Sequence, residues 1–89
     1  MSQDRKVAII TGSSQGLGAS IAIKLSQRNI NLVINYSNNK DMALKIKDEC
    51  VNNGVEAITV QADVSNDDDC KKLVNETINI FGKVDILVN

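Results

Sequence analysis

Three glycines, Gly12, Gly16 and Gly18, come directly after the apolar run 7–10 and before an apolar pattern with helical spacing. Backbone without side chains can approach a phosphate closely, and the free N–H groups at a helix start favour an anion. In this interpretation Gly12 permits a tight exit from a strand, Gly16 lets the backbone approach a pyrophosphate, and Gly18 allows close packing of helix on sheet. The alternative is a glycine-rich turn with structural duties only.

The residues around the glycines refine this hypothesis. Ser13 and Ser14 can add hydroxyl donors, and Thr11 is placed to brace the turn. Gln15 and Leu17 complete the segment and are included among the predicted contacts. No Gly-Lys-Ser/Thr follows, which excludes the phosphate-binding loop of nucleotide hydrolases.

Composition excludes several other kinds of site. The chain has 89 residues, a formal net charge of −1 and no histidine, so neither nucleic-acid binding nor any histidine-based metal or catalytic site is expected. Cys50 and Cys70 lack metal-type spacing and are expected to be reduced thiols on apolar helix faces. There is no signal-peptide core and no apolar run of membrane-spanning length, so we expect a cytoplasmic protein without membrane contact.

Alternating apolar patterns supply the scaffold. Strands are predicted at 7–11, 32–36, 55–60 and 84–88, with helices at 16–28, from an opening at 37–39 to a close at 52–54, and from about 66 to 81. The first helix has a core stripe of Leu17, Ile21, Ala22 and Leu25, and the third has one of Cys70, Leu73, Val74, Thr77, Ile78 and Phe81. Ser65 and Asp68 are predicted to form a capping box. Asn-X-Ser/Thr matches at Asn35 and Asn75 fall inside regular elements and are interpreted as chance.

The element order is therefore βαβαβαβ. Helices between successive strands predict parallel pairing with right-handed crossovers, in an α/β doubly wound sheet of strand order 3-2-1-4. The chain stops directly after an apolar strand, whose outer edge would be left unpaired. We therefore expect 1–89 to be the N-terminal part of one larger domain, truncated after the fourth strand.

Four stretches together resemble the short-chain dehydrogenase/reductase family. They are "TGSSQGLG" (11–18), "NYSNN" after the second strand, "ADVS" (62–65) after the third and "VDILVN" (84–89) as the fourth. The first has the family's Thr-Gly-x-x-x-Gly-x-Gly spacing, and the branch most similar to this chain contains 3-oxoacyl-acyl-carrier-protein reductases. The resemblance covers essentially the whole chain and implies a Rossmann-type NAD(P)-binding fold.

The resemblance also implies roles for individual residues. Asp63 would accept a hydrogen bond from the adenine amino group and Val64 would contact the same ring, the alternative for Asp63 being a turn-forming role. Asn89 is similar to the first residue of the Asn-Asn-Ala-Gly motif, which lies against the adenosine ribose. The family's catalytic Asn, Ser and Tyr-x-x-x-Lys all lie beyond this chain. No catalytic residue and no metal ligand is therefore predicted here.

Cofactor choice depends on the end of the second strand. Relatives that prefer NAD carry an acidic residue eighteen positions after the last glycine, where this chain has Tyr36. Ser37, Asn38 and Asn39 follow with neutral donors, and Lys40 is close enough to supply charge. The uncharged Gln15 argues the other way, and Tyr36 could also be a strand-ending residue that suits either cofactor. The sequence favours NADP(H) over NAD(H).

The implied activity is hydride transfer between nicotinamide and a carbonyl/alcohol pair, on a small-molecule or carrier-bound substrate, by a full-length parent that is a homo-oligomer. Three alternatives remain open. In the first, the parent is a catalytically inactive, cofactor-sensing regulator. In the second, the chain is a non-functional truncated product. A methyltransferase also has a glycine-rich first loop, although the motif spacing and "ADVS" argue against it.

Overall fold

Four parallel strands form one sheet in the computed structural model of this protein, which describes residues 5–12 and 16–89. The elements are β1 (Val7–Ile10), α1 (Gly16–Ser26), β2 (Asn31–Tyr36), α2 (Lys40–Asn52), β3 (Ala57–Gln61), α3 (Asp67–Phe81) and β4 (Ile86–Val88). Their order in the sheet is β3-β2-β1-β4, and all three pairings are parallel. The predicted α/β doubly wound topology is confirmed.

Both central strands are buried along their whole length, as their apolar sequences predict. Successive side chains alternate between two cores. Ala8 and Ile10 pack with α1 and α2 on one face, whereas Val7 and Ile9 pack with Leu73 of α3 on the other. Helices therefore cover both faces of the sheet.

Small residues let α1 and α2 pack closely together. Ala22 and Ala43 are fully buried, and Asn53 donates a 2.9 Å hydrogen bond from Nδ2 to the Ser26 hydroxyl. Cys50 lies in the same contact, and burial raises the pKa of its thiol. It is a reduced, buried thiol, as expected, whereas Cys70 is only half-buried.

The start of α3 differs from the prediction. The N-cap is Asn66, whose side chain accepts hydrogen bonds from the backbone N–H groups of Asp68 and Asp69 at 2.9 and 3.1 Å. Ser65 instead donates to Asp63, so the predicted Ser65–Asp68 capping box is wrong. At the other end, Gly82 adopts φ +81° and closes the helix as a left-handed cap.

Two of the predicted core stripes are incomplete. Leu73 and Thr77 are buried, but Val74 and Ile78 are 39% and 47% exposed because the apolar face of α3 is wider than its contact with the sheet. Leu17 is 78% exposed in the first turn of α1. The assignment of Leu17 to the core stripe is therefore wrong.

Strand boundaries shift by one or two residues. Thr11 lies in a turn rather than in β1, and β4 begins at Ile86 rather than at 84. The segment before β4 still pairs with β1, since the N–H of Asp85 donates to the Val7 carbonyl at 2.9 Å. Within the described residues, no helix is long and apolar enough to span a membrane.

Candidate functional site

The carboxyl ends of the four strands lie at one edge of the sheet, where parallel α/β folds bind their ligands. Each predicted site residue that the structure describes lies at the end of a strand, in the segment after one, or in the first turn of α1. The set contains Gly12, Gly16, Leu17 and Gly18 after β1, Tyr36, Ser37 and Asn38 at the end of β2, Asp63 and Val64 after β3, and Asn89 after β4. The predicted contacts Ser13, Ser14 and Gln15 lie outside the described residues.

Two of the glycines have backbone conformations that side chains disfavour. Gly12 has φ +60° and Gly16 has φ +63°, both in the left-handed region. A Cβ built at either position would meet no atom of the described chain within 4 Å. Gly16 is also the first residue of α1, where the first N–H groups of a helix have no partner within the helix itself. This arrangement suits a ligand with a negative charge.

Thr11 fixes the exit of β1 to the end of β4. Its backbone N–H donates to the Val88 carbonyl at 2.9 Å. Its hydroxyl oxygen lies 3.2 Å from that carbonyl and 3.5 Å from Oδ1 of Asn89. The bracing role predicted for Thr11 is thus supplied by contacts to the fourth strand.

Asn35 makes a connection that the sequence analysis missed. Its Oδ1 accepts the Gly12 N–H at 3.1 Å, and its Nδ2 donates to the carbonyls of Val60 and Ala62 at 3.3 and 3.1 Å. The side chain is 2% exposed. A signal was present, because a polar residue near the end of a strand buried on both faces must find hydrogen-bond partners there.

Asp63 presents a carboxylate at the same edge. Its Oδ1 accepts from both the backbone N–H and the hydroxyl of Ser65, at 3.0 and 2.6 Å, and these bonds lower the pKa of the carboxyl group. Its Oδ2 makes no hydrogen bond to any part of the chain that the structure describes. The Asp63 N–H donates to Oδ2 of Asp69 at 2.7 Å. Asp63 is therefore an ionised, held acceptor with one oxygen open to a ligand.

The end of β2 combines a buried ring with exposed polar residues. Tyr36 is 7% exposed and packs in the core between the sheet and the α1–α2 pair. Ser37 and Asn38 are exposed, and Asn39 caps α2 by accepting the Met42 N–H at 3.2 Å. The first residue of α2 is Lys40, also exposed, so a cation and a helix start lie beyond the strand end.

An apolar depression of about 140 Å³ continues the site between α3 and β4. Its lining consists of Ile9, Thr11, Val64, Cys70, Leu73, Val74, Leu87 and Asn89. The Cys70 thiol lies 3.1 Å from the Val64 carbonyl oxygen, which helps to hold the segment after β3. Two of the predicted ligand contacts, Val64 and Asn89, therefore share one surface.

Taken together, these groups can bind an extended ligand with separate polar parts. An anion would lie at the start of α1, and a hydrogen-bond donor would lie at Asp63. Among the described residues, no group of three or more His, Cys, Asp or Glu side chains could hold a metal ion.

Comparison with known proteins identifies the family. The sequence model of the short chain dehydrogenase family matches residues 6–89. The chain belongs to this family. The resemblance of its four motifs to short-chain dehydrogenases is thereby confirmed.

Curated relatives include reductases from fungi and bacteria. The chain is 44% identical over 84 residues to versicolorin reductase stcU of Emericella nidulans, covering 94% of this chain and 32% of the relative. It is 40% identical over 84 residues to the 3-oxoacyl-[acyl-carrier-protein] reductase FabG of Staphylococcus epidermidis, covering 94% and 34%. The chain thus spans about a third of the length of these curated relatives.

Solved structures of the family have the same arrangement. A hydroxysteroid dehydrogenase from Escherichia coli superimposes with a TM-score of 0.87 at 34% identity, covering 99% of this chain and 38% of that one. A candidate dehydrogenase from Burkholderia cenocepacia, solved with bound NADP, gives a TM-score of 0.89 at 30% identity, covering 93% and 32%.

Proposed function

We propose that this chain is the cofactor-binding part of an NAD(P)-dependent oxidoreductase, and that residues 1–89 form the N-terminal part of a larger Rossmann-type domain. The observation that carries the proposal is that Gly12 and Gly16, before and at the start of α1, both have positive φ and that a Cβ at either would meet no described neighbour within 4 Å. The bound NADP in the Burkholderia cenocepacia relative and the length of the other relatives support it.

The described residues fit a dinucleotide along the sheet edge. Gly12, Gly16 and the N–H groups that begin α1 would hold the pyrophosphate, with Leu17 and Gly18 completing that turn. The open Oδ2 of Asp63 would accept the adenine amino group, because a carboxylate is a strong acceptor for an exocyclic amine. Val64 would contact the adenine ring, and Asn89 would lie beside the ribose. Ser13, Ser14 and Gln15 complete the proposed contact set.

The cofactor proposed is NADP(H) in preference to NAD(H). No carboxylate ends β2, since Tyr36 occupies that position and its ring is buried in the core. The exposed Ser37, Asn38 and Lys40 would face a 2′-phosphate at the start of α2. A phosphate there would meet hydrogen-bond donors and a cation. Position 36 carries no acidic side chain that could bind the free ribose hydroxyls of NAD(H).

Hydride transfer between the nicotinamide and a carbonyl/alcohol pair is the chemistry that the cofactor would supply. This chain's residues would bind and orient the dinucleotide, and proton transfer would come from residues beyond Asn89. The names of the reductases among the relatives support a small-molecule or carrier-bound carbonyl substrate. We place the parent in the cytoplasm as a homo-oligomer without a nucleic-acid partner.

The test is dinucleotide binding by the complete protein that contains this chain. Fluorescence titration with NADPH and NADH should give saturable binding of both, with the lower Kd for NADPH. Asp63→Ala should weaken the binding of NADPH and NADH alike, by about tenfold, since both contain adenine. A protein that binds neither dinucleotide, or one that Asp63→Ala leaves unchanged, would contradict the proposal.

A further inference from the structure

We propose that Asn35 is a positioning residue for the cofactor site, which sets the separation between the Gly12 turn and Asp63. The inference rests on the proposed function, because the separation matters only if one ligand spans both groups. Asn35 acts on the site through the backbone: it accepts the Gly12 N–H and donates to the carbonyl of Ala62, the residue before Asp63.

The Asn35 carboxamide lies where the strands stop pairing. The register of β2 with β3 ends at Tyr36 and Gln61, and β1 ends at Ile10. Beyond these points the segments after β1 and β3 leave the sheet toward α1 and α3. Their backbone N–H and C=O groups can then no longer all pair with a neighbouring strand. The side chain of Asn35 fills this gap from the central strand of the three.

Three backbone groups depend on this side chain. Oδ1 accepts the Gly12 N–H at 3.1 Å, while Nδ2 donates to the Val60 carbonyl at 3.3 Å and to the Ala62 carbonyl at 3.1 Å. Asp63 is the next residue after Ala62. One planar group thus connects the proposed pyrophosphate turn to the proposed adenine acceptor through a single hydrogen bond on each side.

The chemistry requires an amide at this position. An aspartate could accept from Gly12 but could not donate to two carbonyls, and a leucine could do neither. The site is 2% exposed, so water cannot readily replace the missing bonds. Loss of the amide would release the two strand ends from one another while leaving the apolar cores on both faces in place.

Asn31 provides a matched control on the same strand. It is 1% exposed, and its Oδ1 accepts the Glu56 N–H at 3.0 Å, so it too joins β2 to the segment carrying β3. It lies at the amino end of the strand, away from the ligand edge. Asn31→Ala therefore removes a buried amide of the same type without touching the site.

The experiment compares Asn35→Ala and Asn31→Ala in the complete protein, at temperatures below unfolding. Both variants should lose stability to denaturant, but only Asn35→Ala should raise the Kd for NADPH, by about tenfold or more. Asn31→Ala should stay within about twofold of wild type. Asn35→Ser, whose shorter neutral side chain cannot span the same bonds, is the second variant if Asn35→Ala fails to fold.

A double-mutant cycle with Asp63→Ala separates positioning from general destabilisation. In the otherwise wild-type protein, Asp63→Ala should raise the Kd for NADPH about tenfold. In the Asn35→Ala background it should raise that Kd less than about threefold, since the Asp63 carboxylate is then no longer held in place. Equal NADPH affinity of Asn35→Ala and wild type, or fully additive effects, would overturn this inference alone. A wild-type protein that binds neither NADPH nor NADH would overturn the proposed function and this inference with it.

Discussion

The carboxylate of Asp85 accepts a 2.8 Å hydrogen bond from the backbone N–H of Val7, across the start of the β1–β4 pairing. The Val7 carbonyl in turn accepts from the Asp85 N–H at 2.9 Å, and Lys83 forms an ion pair with the same carboxylate at 3.2 Å. The Asp85 side chain thereby extends the pairing between β1 and β4 beyond the three residues of β4.

Acid should weaken this contact. The Val7 N–H, followed by Lys83, lowers the pKa of the Asp85 carboxyl group in the folded protein. A depressed folded-state pKa means that the contribution is present above the unfolded pKa of about 4 and is lost as pH falls through the lower folded value. Urea unfolding of wild type and Asp85→Asn should differ at pH 6 and converge toward pH 2 to 3. Asp48→Asn, an exposed change in α2, is the control, and a difference independent of pH would contradict the prediction.

Gly16→Ala should weaken dinucleotide binding in the complete protein by about tenfold or more. An alanine at φ +63° is strained, and its methyl group would occupy the space proposed for the pyrophosphate. Gly82→Ala is matched to it, because Gly82 also has a positive φ with open space around it but lies at the end of α3. Both variants should lose similar thermal stability, and only Gly16→Ala should lose affinity for NADPH. Equal affinities would refute the placement.

Cofactor preference should follow charge at position 36. Tyr36→Asp should lower the ratio of kcat/KM for NADP(H) over NAD(H) by about tenfold, since a negative charge at the end of β2 would repel the 2′-phosphate proposed beside it. The Tyr36 ring is buried, so the substitution also costs stability. Tyr36→Asn removes the same ring without adding charge and should change the ratio by less than about threefold. If the two variants shift the ratio equally, or wild type prefers NAD(H), the prediction is wrong.

Leu17→Ala should weaken binding of the cofactor without destabilising the fold. The side chain is 78% exposed at the start of α1, so little of its surface is buried by the chain itself. A bound dinucleotide would cover it, and we expect the Kd for NADPH to rise about threefold to tenfold. Val51→Ala, a 45% exposed change at the end of α2, is the control. A drop in thermal stability with unchanged Kd would assign Leu17 to packing instead.

The sheet topology was predictable because each element is specified locally. Val7–Ile10 is apolar at every position and short, which is typical of a strand buried on both faces, and the order of elements then permits few arrangements. The family motifs added the positions of the site residues. Asp63 lies at the expected strand end, although its hydrogen bonds to Ser65 could not be anticipated from the sequence.

The features that the sequence did not predict share one physical cause. Each depends on which residues the fold brings close together. Ser65 and Asn66 are both good helix caps, and only the path of the chain after β3 decides that Ser65 bonds to Asp63 while Asn66 caps α3. Leu17 fits a core stripe by spacing, but no described neighbouring element covers its side chain in the first turn of α1. The hydrogen bonds of Asn35 are not evident from the sequence, since its partners Gly12 and Ala62 follow two other strands and lie more than 20 residues away.

The position of β1 has a consequence for synthesis of the chain. Of the four strands described, β1 leaves the ribosome first, yet it lies inside the sheet, between β2 and β4. Its edge toward β2 can pair early, whereas its other edge waits for Ile86–Val88, the last of these four strands in the sequence. At ordinary translation rates this delay lasts roughly 4 to 15 s. During that interval the nascent protein exposes an apolar, hydrogen-bonding strand edge that other chains could join, so a holding chaperone should act on this stage of its biogenesis.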